Sequence, residues 1–358
     1  MKNRSLIGTL LISAILLTGC STNETSSGVI KNVVDITTAS ATQSETTEET
    51  EPFTFTYNPH LYSSHIAKEV PQDHWDALYN LIDAARAGKD TFECASEEAY
   101  KWAMGAGVLA HYFPAASLKI TGESNDGSKP FENGVGRIYY QMPVDEFLKR
   151  EEDFEKMVVD ILNQTIEEDD TDFEKVLKLY DYMASNYHYD NEGVTNNIKG
   201  EGYIYLTFME HTGVCINFSG VYAFLLEQAG LEALSVGSFD NLDHEWTYVL
   251  INGQGYHVDT TWALKADKNT DSLCLDYFMM TDEVRTSTGC PVEGLTVQLL
   301  PKFWASKSSV TFKATDDRYY LGSGSVFKSL DEENKILYYW DGDGNECQLN
   351  YGELNNGF

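Results

Sequence analysis

The sequence predicts an α+β fold: a cysteine-bearing helix packed on an antiparallel sheet, preceded by an N-terminal α/β region and followed by a small C-terminal β region. Three observations carry this. Apolar residues recur at helical spacing over residues 144–168, 172–186 and 215–229. Residues 233–239 and 244–251 read as strands, and the second meets Asn252-Gly253, a strong hairpin signal. Residues 309–358 alternate again, as short strands and hairpins.

The chain has 358 residues, enough for two domains and a tail. It is 42% hydrophobic and 13% aromatic, so a sizeable core is expected. The formal net charge of −31 repels nucleic acid and anionic lipid, which excludes DNA, RNA and polybasic membrane binding. No Cys-x-x-Cys or His-Glu-x-x-His spacing occurs, so neither a protein-built metal site nor a cofactor is expected.

Residues 1–19 read as a signal peptide. Lys2 and Arg4 precede an apolar run over residues 6–17, which is short for a bilayer span. Leu17-Thr18-Gly19-Cys20 resembles the lipobox of bacterial lipoproteins. That resemblance implies cleavage before Cys20, lipidation of its thiol, and an extracytoplasmic chain anchored in the bacterial cell membrane. Each buried methylene of such an anchor adds about 0.8 kcal/mol. Residues 20–52 are rich in Ser, Thr and Glu and too poor in large apolar residues for a core, so they read as a disordered tether. Its mean reach is about 30 Å.

Residues 53–143 form a first α+β region. Residues 74–87 and 96–111 read as helices; residues 117–121 and 135–142 read as strands around a turn-rich stretch. His60, His65, His74 and His111 are scattered here and read as structural or exposed. Residues 144–290 form the core domain and residues 291–358 the β-rich C-terminal region.

The chemistry-bearing stretch runs from Gly213 to Trp262. Gly213 breaks the chain, Cys215 opens an apolar helix, and Gly230 stops it. A cysteine at a helix N-terminus faces unpaired N–H groups and the positive dipole end, which stabilise a thiolate and can serve an oxyanion. A buried, inert cysteine fits the same position. A two-residue hairpin at Asn252-Gly253 pairs positions so that Trp246 faces Asp259 and His244 faces Thr261. Asp259 then lies diagonally beside His244 on one face. The acid would orient the imidazole and leave its other nitrogen for Cys215. His257 shares Asp259's face and competes for the base role; His244 is preferred. Asp282 and Glu283 read as surface charge.

This stretch resembles the transglutaminase-like superfamily. Gly213-Val214-Cys215 with Phe218 resembles its nucleophile motif, His244-x-Trp246 its histidine strand, and Tyr256-His257-Val258-Asp259-x-Thr261-Trp262 its acid strand. Tyr187-x-Tyr189-Asp190 and residues 276–282 resemble flanking segments, so the likeness covers about residues 172–283. It implies a papain-like fold (the cysteine proteinase/transglutaminase core) with Cys215, His244 and Asp259 as catalytic residues. Three neighbours depart from the pattern: Asn217, Glu245 and Thr247. Glu245 is expected on the face away from the thiolate.

The implied activity is cleavage or transfer of an amide acyl group, with hydrolysis favoured over cross-linking and a protein or peptide substrate, such as a cell-wall peptide. The competing class is a non-catalytic binding or scaffold module at the cell surface. Cys94, Cys274, Cys290 and Cys347 allow three disulfide pairings, and the sequence does not choose among them. Asp341-Gly342-Asp343-Gly344 lacks the sixth-place glycine and distant glutamate of a calcium loop and reads as a hairpin turn. Oligomeric state has no sequence signal.

Overall fold

The computed structural model describes residues 53–124, 127–191, 203–238, 244–300 and 310–354. The lipobox, Cys20 and the tether lie outside the described residues.

The first part holds α1 (Gln72–Arg86), β1 (Thr91–Glu93), α2 (Glu97–Ala103), α3 (Ala106–Tyr112), β2 (Ile120–Thr121), β3 (Phe131–Glu132), β4 (Val135–Arg137) and β5 (Tyr139–Tyr140). The single helix expected over residues 96–111 is two. Ser96 caps the first by accepting from the Ala99 N–H at 3.1 Å. Gly105 then takes an extended conformation, φ −63° and ψ 136°, which ends one helix and begins the next. The two expected strands are also shorter. Leu118 sits at φ 58°, just before β2. The second run divides at Ile138, because β4 pairs with β1 and β3 whereas β5 pairs with β2.

Next come α4 (Val144–Thr165), α5 (Asp172–Asn186), β6 (His188–Tyr189), α6 (Tyr203–Glu210), β7 (Thr212–Gly213), α7 (Cys215–Gln228), β8 (Glu232–Ser238), β9 (His244–Ile251), β10 (Gln254–Val258), α8 (Lys265–Lys268) and α9 (Asp282–Ser287). A capping box starts α5: Thr171 Oγ1 accepts from the Glu174 N–H, and Glu174 accepts from the Thr171 N–H at 2.7 Å. Helix α7 is buried almost all round, as an apolar helix with little amphipathic bias must be. It lies against β8 and β9 on one side and α5 on the other, where the Tyr222 hydroxyl donates to the Val176 carbonyl at 2.7 Å.

Strands β10, β9 and β8 make an antiparallel sheet in that order. Ile251 pairs with Gln254 and Thr247 with Val258, the register expected of a two-residue turn. Asn252 and Gly253 both take positive φ, 51° and 75°, as a type I′ turn requires. This register brings the start of β9 beside the end of β10.

The C-terminal part is β11 (Val326–Asp331), β12 (Ile336–Trp340), β13 (Glu346–Asn350) and the short α10 (Tyr351–Leu354). Its three strands form an antiparallel meander. Strands expected near residues 310–321 are absent. That segment instead runs beside the core hairpin, where the Lys313 carbonyl accepts from the Tyr248 hydroxyl at 2.8 Å. The meander joins the core through Phe327 N–H to the Leu273 carbonyl, 3.0 Å, and through the Tyr351 hydroxyl to Glu174, 2.6 Å. Asp341 accepts from the N–H groups of Asp343 and Asn345, an Asx turn between strands. The five described cysteines are all free thiols.

Candidate active site

The site is assembled where α7 begins, β9 begins and β10 ends. Val214 takes extended backbone angles before the helix, and its N–H donates to Asn217 Oδ1 at 2.9 Å. Asn217 thereby fixes the helix start one residue before Cys215. Gly213 is required here by close approach: a Cβ would lie 2.7 Å from Asn217 Cβ. The N–H groups of Asn217 and Phe218 donate to the Val214 carbonyl at 2.9 and 3.0 Å; those of Cys215 and Ile216, at the thiol's end, have no carbonyl partner inside the helix.

His244 is buried, and its Nε2 lies 2.7 Å from Asp259 Oδ2. The carboxylate thus takes Nε2–H and leaves Nδ1 free of it, with the Cys215 side chain near enough to act on the ring. Burial lowers the His244 pKa, but the Asp259 carboxylate and then the Cys215 sulfur outweigh it and bring it up to about 9. The imidazolium is therefore the resting form at neutral pH.

Asp259 is fully buried and accepts from four donors. These are His244, Arg285 Nη1 at 3.0 Å, and the N–H groups of Thr261 and Trp262 at 3.0 and 3.3 Å. Burial pushes its pKa up, yet the charges of His244 and Arg285 and these hydrogen bonds hold it below the usual carboxylate value.

Arg285 escapes sequence reasoning. Spacing would pair it with Asp282, three residues back in α9. The structure instead sends it to Asp259, fully buried, with its guanidinium carbon 4.2 Å from the Trp246 ring centre and 4.6 Å from that of Trp262. Trp262 in turn stacks on His244, centroids 4.8 Å apart and planes 11° from parallel. The indole thus lies against both the base and the arginine that neutralises its acid.

His257 is fully buried and engaged at both ring nitrogens. Trp246 Nε1–H donates to Nδ1 at 3.0 Å, and Nε2 lies 3.0 Å from Asp282 Oδ1. Burial lowers its pKa, so it is the neutral Nε2–H tautomer and has no nitrogen free for Cys215. Asp282 is accordingly not a surface charge: it holds His257 and accepts from the Ala314 N–H at 3.0 Å.

The departures from the family pattern have structural partners. Glu245 is buried, bonded to Ser235 Oγ at 3.1 Å and Gln298 Nε2 at 3.0 Å, and Ser235 in turn bonds Ser219 of α7 at 2.6 Å. Thr247 donates its hydroxyl to the Ser219 carbonyl in α7 at 3.1 Å. His111 bonds the Gly107 carbonyl and is buried, whereas His60 sits at the surface against Asp83.

A cleft of about 660 Å³ opens on His244, walled by Tyr189, Trp262 and Tyr277, with Lys268 at its edge. Among the described residues no group of three or more His, Cys, Asp or Glu side chains is placed to hold a metal ion. Nor is any described helix long and apolar enough to cross a membrane.

Residues 160–262 match the family model of the transglutaminase-like superfamily. This segment ends on Trp262 and contains Cys215, His244 and Asp259. One solved structure, a candidate cysteine protease from Cytophaga hutchinsonii, is 18% identical over 32% of this chain and 39% of its own, with a TM-score of 0.25. No curated protein matches the chain.

Proposed function

We propose that the transglutaminase-like region of this chain is a thiol acyl-transfer enzyme using Cys215, His244 and Asp259. The observation that supports it most is the His244–Asp259 hydrogen bond beside the Cys215 side chain, drawn from three separate elements and isolated from the second histidine, His257. Cys215 thiolate attacks an amide carbonyl and forms a carbon–sulfur bond. The His244 imidazolium gives its Nδ1 proton to the leaving nitrogen as the carbon–nitrogen bond breaks. The neutral imidazole then takes a proton from water, whose oxygen displaces sulfur and releases a carboxylic acid. Asp259 stays ionised throughout and holds the ring orientation. An amine in place of water would give transfer; hydrolysis is favoured because water is always present.

Asn217, Glu245 and Thr247 each have a structural partner, so they do not speak for a scaffold that has lost its chemistry. The substrate class is a protein or peptide, and the address is extracytoplasmic, through a lipid on Cys20. Two experiments test these readings. Glutamine-containing peptides incubated with the full chain should leave a thioester on Cys215 by mass spectrometry and release acid; Cys215→Ala should do neither. An absent adduct would reject the enzyme. Cys20→Ser should release the chain from membranes and abolish labelling by a clickable fatty acid; unchanged membrane association would reject the anchor.

A further inference from the structure

Lys268 joins His244 as a cationic side chain of the cleft, in a chain where acids outnumber bases 56 to 25. Its ammonium lies 5.0 Å from the Tyr277 ring centre, and its charge acts on the Cys274 thiol. Burial raises the Cys274 pKa although that charge opposes it. Lys265, one turn earlier in α8, behaves differently: it is paired with Asp181 at 2.7 Å. Among the described residues no carboxylate pairs with Lys268.

Apart from His244, the rest of the cleft is neutral or aromatic: the rings of Tyr189, Trp262 and Tyr277, and the side chains of Thr261, Leu264 and Thr288. An ammonium on such a wall attracts an anion locally, because the distant negative charge is screened beyond about 8 Å at physiological salt. A lysine ammonium acts as a point charge for either a carboxylate or a phosphate, and a protein or peptide substrate carries the carboxylate. A single ammonium beside aromatic walls fits a carboxylate on a peptide.

We infer that the cleft selects acyl donors that carry a carboxylate near the scissile amide, with Lys268 as the residue that binds it. This rests on the thiol-enzyme reading above. It adds a specificity that the triad alone does not supply.

The test needs no natural substrate. Cys215 in the full chain is alkylated with iodoacetate, which carries the carboxylate, and with iodoacetamide, its neutral twin; both rates are read at the Cys215 peptide by mass spectrometry. Lys268→Met should lower the iodoacetate-to-iodoacetamide rate ratio about fivefold, and Lys268→Glu should lower it further, while Lys268→Arg should hold it. Because each variant supplies both rates, a general loss of reactivity cancels. An unchanged ratio in Lys268→Met and Lys268→Glu would overturn the inference and leave the enzyme reading standing. If Cys215 reacts with neither reagent in the unmodified chain, the enzyme reading falls and takes the inference with it. Matched peptides then distinguish the source of the carboxylate. One has a free C-terminus, one is amidated with a single glutamate, and one is amidated and neutral. Either acidic peptide should protect Cys215 better than the neutral one, and equal protection by all three would count against the inference.

Discussion

Arg285 and His244 bind the same oxygen: Nη1 of the arginine lies 3.0 Å, and Nε2 of the histidine 2.7 Å, from Oδ2 of Asp259. The buried carboxylate therefore lies between two cations. Losing one partner of a buried ion pair costs about 3–5 kcal/mol, and Arg285 also stacks on Trp246 and Trp262. Arg285→Met should destabilise the fold by about that amount in urea denaturation. Arg285→Lys should recover part of it, because an ammonium restores the charge but not the planar stack on Trp246 and Trp262. A loss below about 0.5 kcal/mol for Arg285→Met would contradict the buried ion pair.

Asp259→Asn keeps the shape and removes the charge. The His244 pKa should then fall clearly below about 9, measured by NMR titration of the ring, because the carboxylate is the strongest influence raising it. Acyl-transfer activity should drop by about 10²–10⁴, as expected when an imidazole loses its orienting acid. An unchanged histidine titration would separate Asp259 from the base.

The pH dependence of stability follows from the same histidine. Its folded value of about 9 stands above its ordinary 6.5. The associated stability is complete below pH 6.5 and is lost as pH rises through 9; it amounts to at most about 3 kcal/mol. Denaturation midpoints should therefore fall between pH 6.5 and 9.5, and His244→Gln should flatten that decline. A wild-type curve as flat as the variant's would refute the assignment.

Much of this was readable in advance because it is local. The Asn252-Gly253 turn sets the register of β9 and β10 by itself, and that register makes His244 and Asp259 neighbours. The start of α7 is equally local and marked by Gly213, although the Asn217 side chain that caps it reads in the sequence only as a departure from the family pattern. Arg285 was not legible because its partner lies 26 residues away and its nearest charged helical neighbour, Asp282, is a false lead. The break in the 96–111 helix turns on one extended glycine, Gly105, which periodicity averages over. Residues 310–321 carry strand-like alternation, yet their partners are the Tyr248 hydroxyl and Asp282, side chains that no pattern displays.

Gly213 offers a test of the helix start. Gly213→Ala places a Cβ 2.7 Å from Asn217 Cβ and should cost about 1–3 kcal/mol. Shortening the obstruction leaves the Cβ contact in place, so Asn217→Ala should rescue it little, whereas Asn217→Gly should rescue most of it. Stability of the single and double variants by denaturation checks this coupling. Strict additivity would show that the two residues do not meet.

The central claim is that His244 activates Cys215. Its most direct test is the rate of Cys215 alkylation by iodoacetamide at pH 6, in the full chain and in His244→Ala, read at the Cys215 peptide. Proximity of the imidazolium stabilises the thiolate, the reactive form. The account predicts that the variant reacts at least about tenfold more slowly. Equal rates in the two proteins would contradict it.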